Sequence, residues 1–270
     1  MSIAFLHDDL RPIDNSAKIR GVNPLSIRYQ RYRRGQIIME KIIVLDIEFQ
    51  FGDIKDTIHP ALLVDDTSAV LVDCGYTGFL PRIEEALEKA GIHGGQLTYV
   101  VITHQDHDHM GALAALKRKY PHIKVVAGKA EAPYITGEKK SLRILQAEAL
   151  QETLPQDKKA FGEAFLRVLN SVEPAPVDIT VEDGDSFPWC GGCEVIATPG
   201  HTPGHISLYL KKHQTVIVGD AAVVENGRLA IANPEFTLDM AAAEASLQKI
   251  KQLPAKRVIC CHGGVYCMNH

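Results

Sequence analysis

The chain has 270 residues, enough for one large domain or two small ones, and its 46% hydrophobic and 23% charged residues allow a sizeable globular core. A net charge of −4 argues against a protein that tracks a nucleic-acid backbone. No apolar run approaches the roughly 20 residues that cross a bilayer, and the opening residues lack a basic region followed by a long apolar segment, so the expected setting is cytoplasmic, off the membrane and without a secretory leader.

Residues 1–38 differ from the rest. Arg20, Arg28, Arg31, Arg33 and Arg34 fall there with little apolar periodicity. They read as an appended, poorly ordered extension, or as an arm for an acidic partner, with the domain proper over 39–270. From there strands are predicted at 42–50, 60–66 and 68–73. The spacing of Ile83, Ala86, Leu87 and Ala90 predicts a helix over 80–91. The apolar run Leu97 to Ile102 predicts a strand, Gly111 to Lys119 a helix and 123–127 a strand. Leu142, Leu145, Leu150, Phe161, Phe165, Leu166 and Leu169 mark a largely helical stretch within an insert over 128–176. Strands follow at 177–181, 193–198, 205–210 and 214–219, then a helix from Met240 to Leu253 and a strand at 257–261. Strands mixed with helices throughout point to an α/β fold of stacked layers.

Chemistry concentrates directly after the strand 97–102. Three histidines and two aspartates fall within six positions, His104, Asp106, His107, Asp108 and His109. Such charges are costly to desolvate unless a cation balances them. Further metal-capable residues stand at later strand-to-loop junctions: His201 in Thr-Pro-Gly-His-Thr-Pro-Gly-His205, Asp220 after a Val-Ile-Val-Gly strand, and His262 after Val-Ile-Cys-Cys. Cys190-Gly-Gly-Cys193 has redox or zinc spacing, but no second such pair exists, and its glycines between strand-like segments read as a hairpin turn. Cys260 and Cys261 read as core-filling thiols. No Gly-x-Ser-x-Gly elbow is present, which disfavours a serine hydrolase.

These blocks, in this order over residues 73–264, resemble the metallo-β-lactamase superfamily: Thr-His-x-His-x-Asp-His-x-Gly, then Thr-Pro-Gly-His, then a strand ending in Gly-Asp, then a strand ending in His. Leu71-Val72-Asp73-Cys74-Gly75 is similar to the family's early strand ending in Asp-x-Gly. The resemblance implies a single-domain, four-layer αββα sandwich with its site at one edge. It implies a first metal position of His104, Asp106 and His201, a second of Asp108, His109 and His262, and Asp220 bridging both. Asp73 would hold ligands in place, and His205 and Thr198 would support their loop. The implied cofactors are two divalent ions, zinc first, manganese or iron as alternatives. They would share and ionise one water for attack on an acyl or phosphoryl centre, with Asp108 binding metal and orienting the hydroxide. The chain departs from the pattern at Asp106, where the family usually has His; the neighbouring His107 is the alternative ligand.

Substrate is reached by exclusion. Eight residues follow His262, too few for the C-terminal region with which glyoxalase II binds glutathione. The insert 128–176 is too short for the added domain of the family's nucleases, and the cluster lacks the Glu of flavodiiron proteins. Ala221-Ala222-Val223 does not supply the Tyr of acyl-homoserine lactonases, and the leader of secreted antibiotic-destroying members is missing. The expected activity is therefore hydrolysis of a small ester, thioester or lactone, with the helical stretch and Tyr134 as candidate walls of the acyl pocket. The alternatives are a mononuclear iron dioxygenase acting on a thiol or persulfide, and a metal-binding protein without turnover. Oligomeric state is left open.

Overall fold

The computed structural model describes residues 11–12, 27–33, 36–51 and 54–268. Two sheets carry the fold. The larger runs in the spatial order Arg11–Pro12, Ile27–Arg33, Gln36–Val44, Ala61–Val64, Ala69–Val72, Tyr99–Ile102, Lys124–Gly128, Ile179–Val181. The second runs Ser186–Phe187, Cys193–Ala197, Ile206–Leu210, Thr215–Ile217, Arg257–Cys260, Gly264–Cys267. Two ribbons complete the strands among the described residues, Ile47–Phe51 with Ile54–Ile58 and Val223–Glu225 with Arg228–Ala230.

The four layers follow from which residues alternate to which face. Val70, Val72, Val101 and Val126 of the larger sheet pack with Val195, Leu208, Ile217 and Ile259 of the second, so the sheets face each other. The opposite face, Leu71, Val100, Ile102 and Val125, packs on Ile83 and Leu87 of the helix Leu80–Lys89 and on Leu113 and Leu116 of Leu113–Lys119. The outer face of the second sheet, Val216, Val218, Val258 and Cys260, packs on Leu247 and Ile250 of Met240–Gln252. The resulting order is helix, sheet, sheet, helix. Central strands such as Ala69–Val72 are covered on both sides, which is why they read as unbroken apolar runs rather than alternating ones.

The parallel pairings position the site. Ala69–Val72 pairs parallel with Tyr99–Ile102, and that strand parallel with Lys124–Gly128. In the other sheet Thr215–Ile217 pairs parallel with Arg257–Cys260. Their carboxyl ends release Asp73, the 103–109 loop, Asp220 and His262 at one edge, the usual place for a site in such sheets.

Several boundaries differ from expectation. The strand expected over 42–50 divides at Leu45, whose amide turns to Pro60 O at 2.8 Å. The helical stretch is two helices, Leu142–Thr153 and Lys159–Leu169, parted at Pro155. Of the extension expected over 1–38, most lies outside the described residues; 27–33 and 36–38 are strand, with Tyr29 opposite Glu40. Cys190 to Gly192 form the turn of a hairpin between Ser186–Phe187 and Cys193–Ala197, with φ of +46° at Cys190, and the two cysteines are free, buried thiols.

Candidate metal centre

Four segments converge at the sheet edge. The loop after Tyr99–Ile102 supplies His104 and Asp106, and a one-turn helix, His107–Met110, supplies Asp108 and His109. Gly111 closes that turn against the backbone; a Cβ there would lie 2.3 Å from Thr77 N and 2.4 Å from His107 O. Asp220 follows Gly219, whose φ is +48° and whose added Cβ would lie 2.6 Å from Thr103 Oγ1. The Gly-Asp pair is thus a steric requirement, since only glycine lets Asp220 approach the 103–109 loop.

Around the second position, His262 Nε2 lies 3.2 Å from Asp108 Oδ2 and 3.6 Å from Asp220 Oδ1. His109 Nε2 lies 3.3 Å from the same Asp220 oxygen and 3.9 Å from Asp108 Oδ2. Asp73 explains why this nitrogen faces inward. Its Oδ2 accepts from His109 Nδ1 at 2.9 Å, so Nε2 is the nitrogen left to meet an ion. The remaining Asp73 bonds are accepted from Thr103 N at 2.9 Å and from its Oγ1. Because Thr103 donates its hydroxyl proton to Asp73, it accepts from His104 Nδ1 at 3.0 Å, and His104 Nε2 also faces inward without a proton. His104 Nε2, His109 Nε2 and Asp220 Oδ1 are all buried without a hydrogen-bond partner among the described residues. Orphaned acceptors meeting at one point are what a cation satisfies.

Around the first position, His201 Nε2 lies 3.0 Å from Asp106 Oδ2 and 3.6 Å from Asp220 Oδ2, and His104 Nε2 lies 3.6 Å from Asp106 Oδ2. Single donor atoms of His104, Asp106 and His201 fall within 4.8 Å of one another, as do those of His104, His109 and Asp220. A guanidinium stands beside them: Arg143 donates to Asp106 Oδ2 from Nη2 at 2.6 Å and from Nε at 3.1 Å.

Electrostatics report the same surplus of negative charge. Burial raises the carboxyls of Asp106, Asp108 and Asp220, yet each is held below its ordinary range, Asp106 by His104, His201 and Arg143, Asp108 by His107, His109 and His262, and Asp220 by His109, His262 and His201. Burial disfavours charge on His262, but Asp220, Cys261 and Asp108 push it up to about 10. Burial likewise opposes charge on His109, and Cys261, Asp220, Asp73 and Asp108 hold it well above its ordinary value. Protons on these rings stand where a divalent ion would supply the charge.

The other singled-out residues separate clearly. His205 accepts from Asp220 N at 3.1 Å through Nε2 and meets Thr198 Oγ1 at 2.9 Å through Nδ1, so both ring nitrogens are engaged in holding the loops. His107 joins none of these donor groups; its ring lies between Tyr76 and Phe165. Tyr134 borders a cavity of about 180 Å³ together with Gln105, His107 and Arg143.

Sequence reasoning missed four residues. Arg143 is 3% exposed, on a helix whose apolar spacing pointed elsewhere: Leu145 and Leu150 are 46% and 57% exposed, while Arg143 and Ala147 form the buried face. Glu131 is buried and accepts from Gln105 N at 3.0 Å and Gly204 N at 2.9 Å, tying the 103–109 loop to the His201 loop. Gln105 in turn accepts from Leu142 N at 2.8 Å, anchoring the helix of Arg143. Cys261, read as a core thiol, also lies within 4.8 Å of donor atoms of His109 and His262.

Comparison with known proteins agrees with this geometry. "Probable metallo-hydrolase YflN" of Bacillus subtilis is 30% identical over 212 residues, 73% of this chain and 75% of that protein. A hydroxyacylglutathione hydrolase of Aeromonas hydrophila is 28% identical over 180 residues, 66% of this chain and 52% of that protein, so the chain spans about half the length of this relative. Among solved structures, a metallo-beta-lactamase family protein from Thermus thermophilus superposes with a TM-score of 0.67 at 19% identity, covering 84% of this chain and 74% of that one. The sequence profile of the metallo-beta-lactamase superfamily matches residues 55–262, and the chain belongs to that superfamily.

Proposed function

We propose that the chain is a metal-dependent hydrolase of a small ester, thioester or lactone. The convergence of His109 Nε2, His262 Nε2, Asp108 Oδ2 and Asp220 Oδ1, two of them orphaned and buried, carries the reading. These four residues would hold an ion, zinc by donor type, with His104, Asp106 and His201 as the donors of a second position. When bound, such an ion lowers the pKa of water toward neutrality and polarises a substrate carbonyl.

Asp108 turns Oδ2 toward His262, while Oδ1 lies 3.4 Å from His107 Nδ1, so Oδ2 is the oxygen that would face the ion and orient the attacking water. The two helices of the insert wall the approach. Phe165 stacks edge-on to His107 and lies 6.0 Å from Phe236, and a cavity of about 580 Å³ runs between Ala147, Leu150, Leu154 and these rings down to Arg143. This wall suits an apolar acyl group, and relatives named hydroxyacylglutathione hydrolase favour a thioester among the three substrate classes.

The test is metal content by plasma mass spectrometry paired with a panel of p-nitrophenyl esters, acyl thioesters and lactones. Turnover that is lost on chelation, restored by zinc and reduced at least a hundredfold in Asp108→Asn supports the proposal. Turnover that persists through chelation and His109→Ala refutes it. Iron content with oxygen uptake on a persulfide would move the assignment to a dioxygenase.

A further inference from the structure

The two halves of the cluster are not prepared alike. At the second position His109 is held by Asp73 through Nδ1 and turns Nε2 inward with no hydrogen-bond partner among the described residues. At the first position His104 Nε2 is unpartnered too among the described residues, but the nitrogen of His201 is already engaged. His201 Nε2 lies 3.0 Å from Asp106 Oδ2 and 3.3 Å from Arg143 Nη2. If protonated, it donates to Asp106; if bare, its single lone pair accepts from Arg143, which can only donate. Either way it must give up a partner before it can bind an ion. Asp106 Oδ2, the oxygen nearest both His201 and His104, is likewise engaged, by two N–H groups of Arg143.

The guanidinium is built into place. It is buried, its Nη1 donates to Gln146 Oε1, and its carbon lies 5.1 Å over the ring of Phe236. Gln146 is held in turn by Glu235 O at 2.9 Å. The pair also accounts for the departure at position 106. A neutral histidine there needs no counter-charge, whereas a buried carboxylate does, and Arg143 supplies one without any ion. To admit an ion, the side chain has the adjoining cavity of about 580 Å³ into which to withdraw.

We propose that Arg143 and a metal ion compete for the first position, so that the chain holds one ion tightly, among Asp108, His109, Asp220 and His262, and a second only weakly. The inference rests on the metal-hydrolase reading and deepens it. It assigns Arg143 as the residue that sets how many ions the resting protein carries.

The experiment counts ions rather than turnover. Protein saturated with zinc is passed through metal-free buffer and the retained zinc is measured, with calorimetric titration of the stripped protein alongside. Wild type is expected to retain one zinc per chain and to bind a second at least tenfold more weakly. Arg143→Ala is expected to retain two. The double variant Asp106→His, Arg143→Gln guards against misfolding of the single one, since it restores a neutral donor with no charge left unpaired; it too is expected to retain two. His262→Ala is expected to lose the ion that wild type retains. Two zinc ions held equally by wild type, or one by both the single and the double variant, overturns the competition. Retention of that ion by His262→Ala overturns its placement. A wild type that binds no zinc, manganese or iron at all brings down the hydrolase reading itself, a result distinct from the other three.

Discussion

His109 donates through Nδ1 to Asp73 Oδ2 at 2.9 Å, across 36 positions of sequence, and this bond decides which ring nitrogen faces the site. Asp73 stands at φ +62°, a left-handed conformation that asparagine adopts as readily as aspartate. Asp73→Asn therefore leaves the backbone unstrained while removing the charge that fixes the ring. Zinc affinity, measured by competition with a chromophoric chelator, is expected to fall about 10–100-fold. An unchanged affinity would show that the orientation of His109 is set elsewhere.

Removing metal should cost stability as well as activity. The cluster leaves buried acceptors whose partner is the ion, so an ion present at a thousandfold excess over its dissociation constant adds about 4 kcal/mol. For a chain of this size that is roughly 10 °C in the midpoint of thermal unfolding. Calorimetry with and without a chelator reads it directly; coincident midpoints would mean that the acceptors are satisfied without metal.

Acid sensitivity is expected away from the site as well. Glu40 is buried, 2.9 Å from Lys212 Nζ and 2.9 Å from His213 Nε2. Burial raises its carboxyl, but the bonds from His213 and Lys212 override this and hold it below its ordinary value. A group whose folded value is depressed contributes its stability above the unfolded value, about 4.3 for glutamate, and loses it as pH falls through the folded value. Lys212→Met should cost about 3 kcal/mol at pH 7 by leaving the buried carboxylate with His213 as its one remaining partner among the described residues. Urea titrations should show that deficit shrinking below pH 4. A deficit constant with pH would assign the loss to packing.

Gly219→Ala is expected to destabilise by about 3 kcal/mol and to weaken metal binding together. Its Cβ would meet Thr103 Oγ1 at 2.6 Å and His205 Nε2 at 2.8 Å in a backbone conformation unfavourable to alanine. Thermal unfolding and zinc retention are the paired measurements, and a variant normal in both would contradict the steric account of the Gly-Asp pair.

The wall formed by the insert should show itself in chain-length preference. Phe165 lines the cavity that reaches Arg143 and also borders a second one, of about 540 Å³, with Tyr76 and Val168. Phe165→Ala is expected to raise KM for longer acyl thioesters about tenfold while leaving kcat for acetyl thioesters within twofold. Equal changes across the series would place the acyl group elsewhere.

The cluster was legible in the sequence because its parts are local. A buried strand forces the residues that follow it to the sheet edge, so His104, Asp106, Asp108 and His109 declare themselves by position, and His201, Asp220 and His262 repeat the same logic at their own strand ends. The layered fold was legible for a similar reason, since strands covered on both faces must be apolar throughout. Arg143 was not legible. Arginine is almost never fully buried unless paired, so nothing local distinguishes this one, and its partner Asp106 lies 37 positions away on another element. The leucines of its helix mislead because the helix rests on a polar site and turns part of its apolar side outward, leaving Leu145 and Leu150 exposed. Sequence alone determines which chemical groups reach the edge. Only the tertiary structure decides their counter-charges, because a buried carboxylate takes whatever cation the packing brings within reach, and at Asp106 that cation is a side chain of the protein itself.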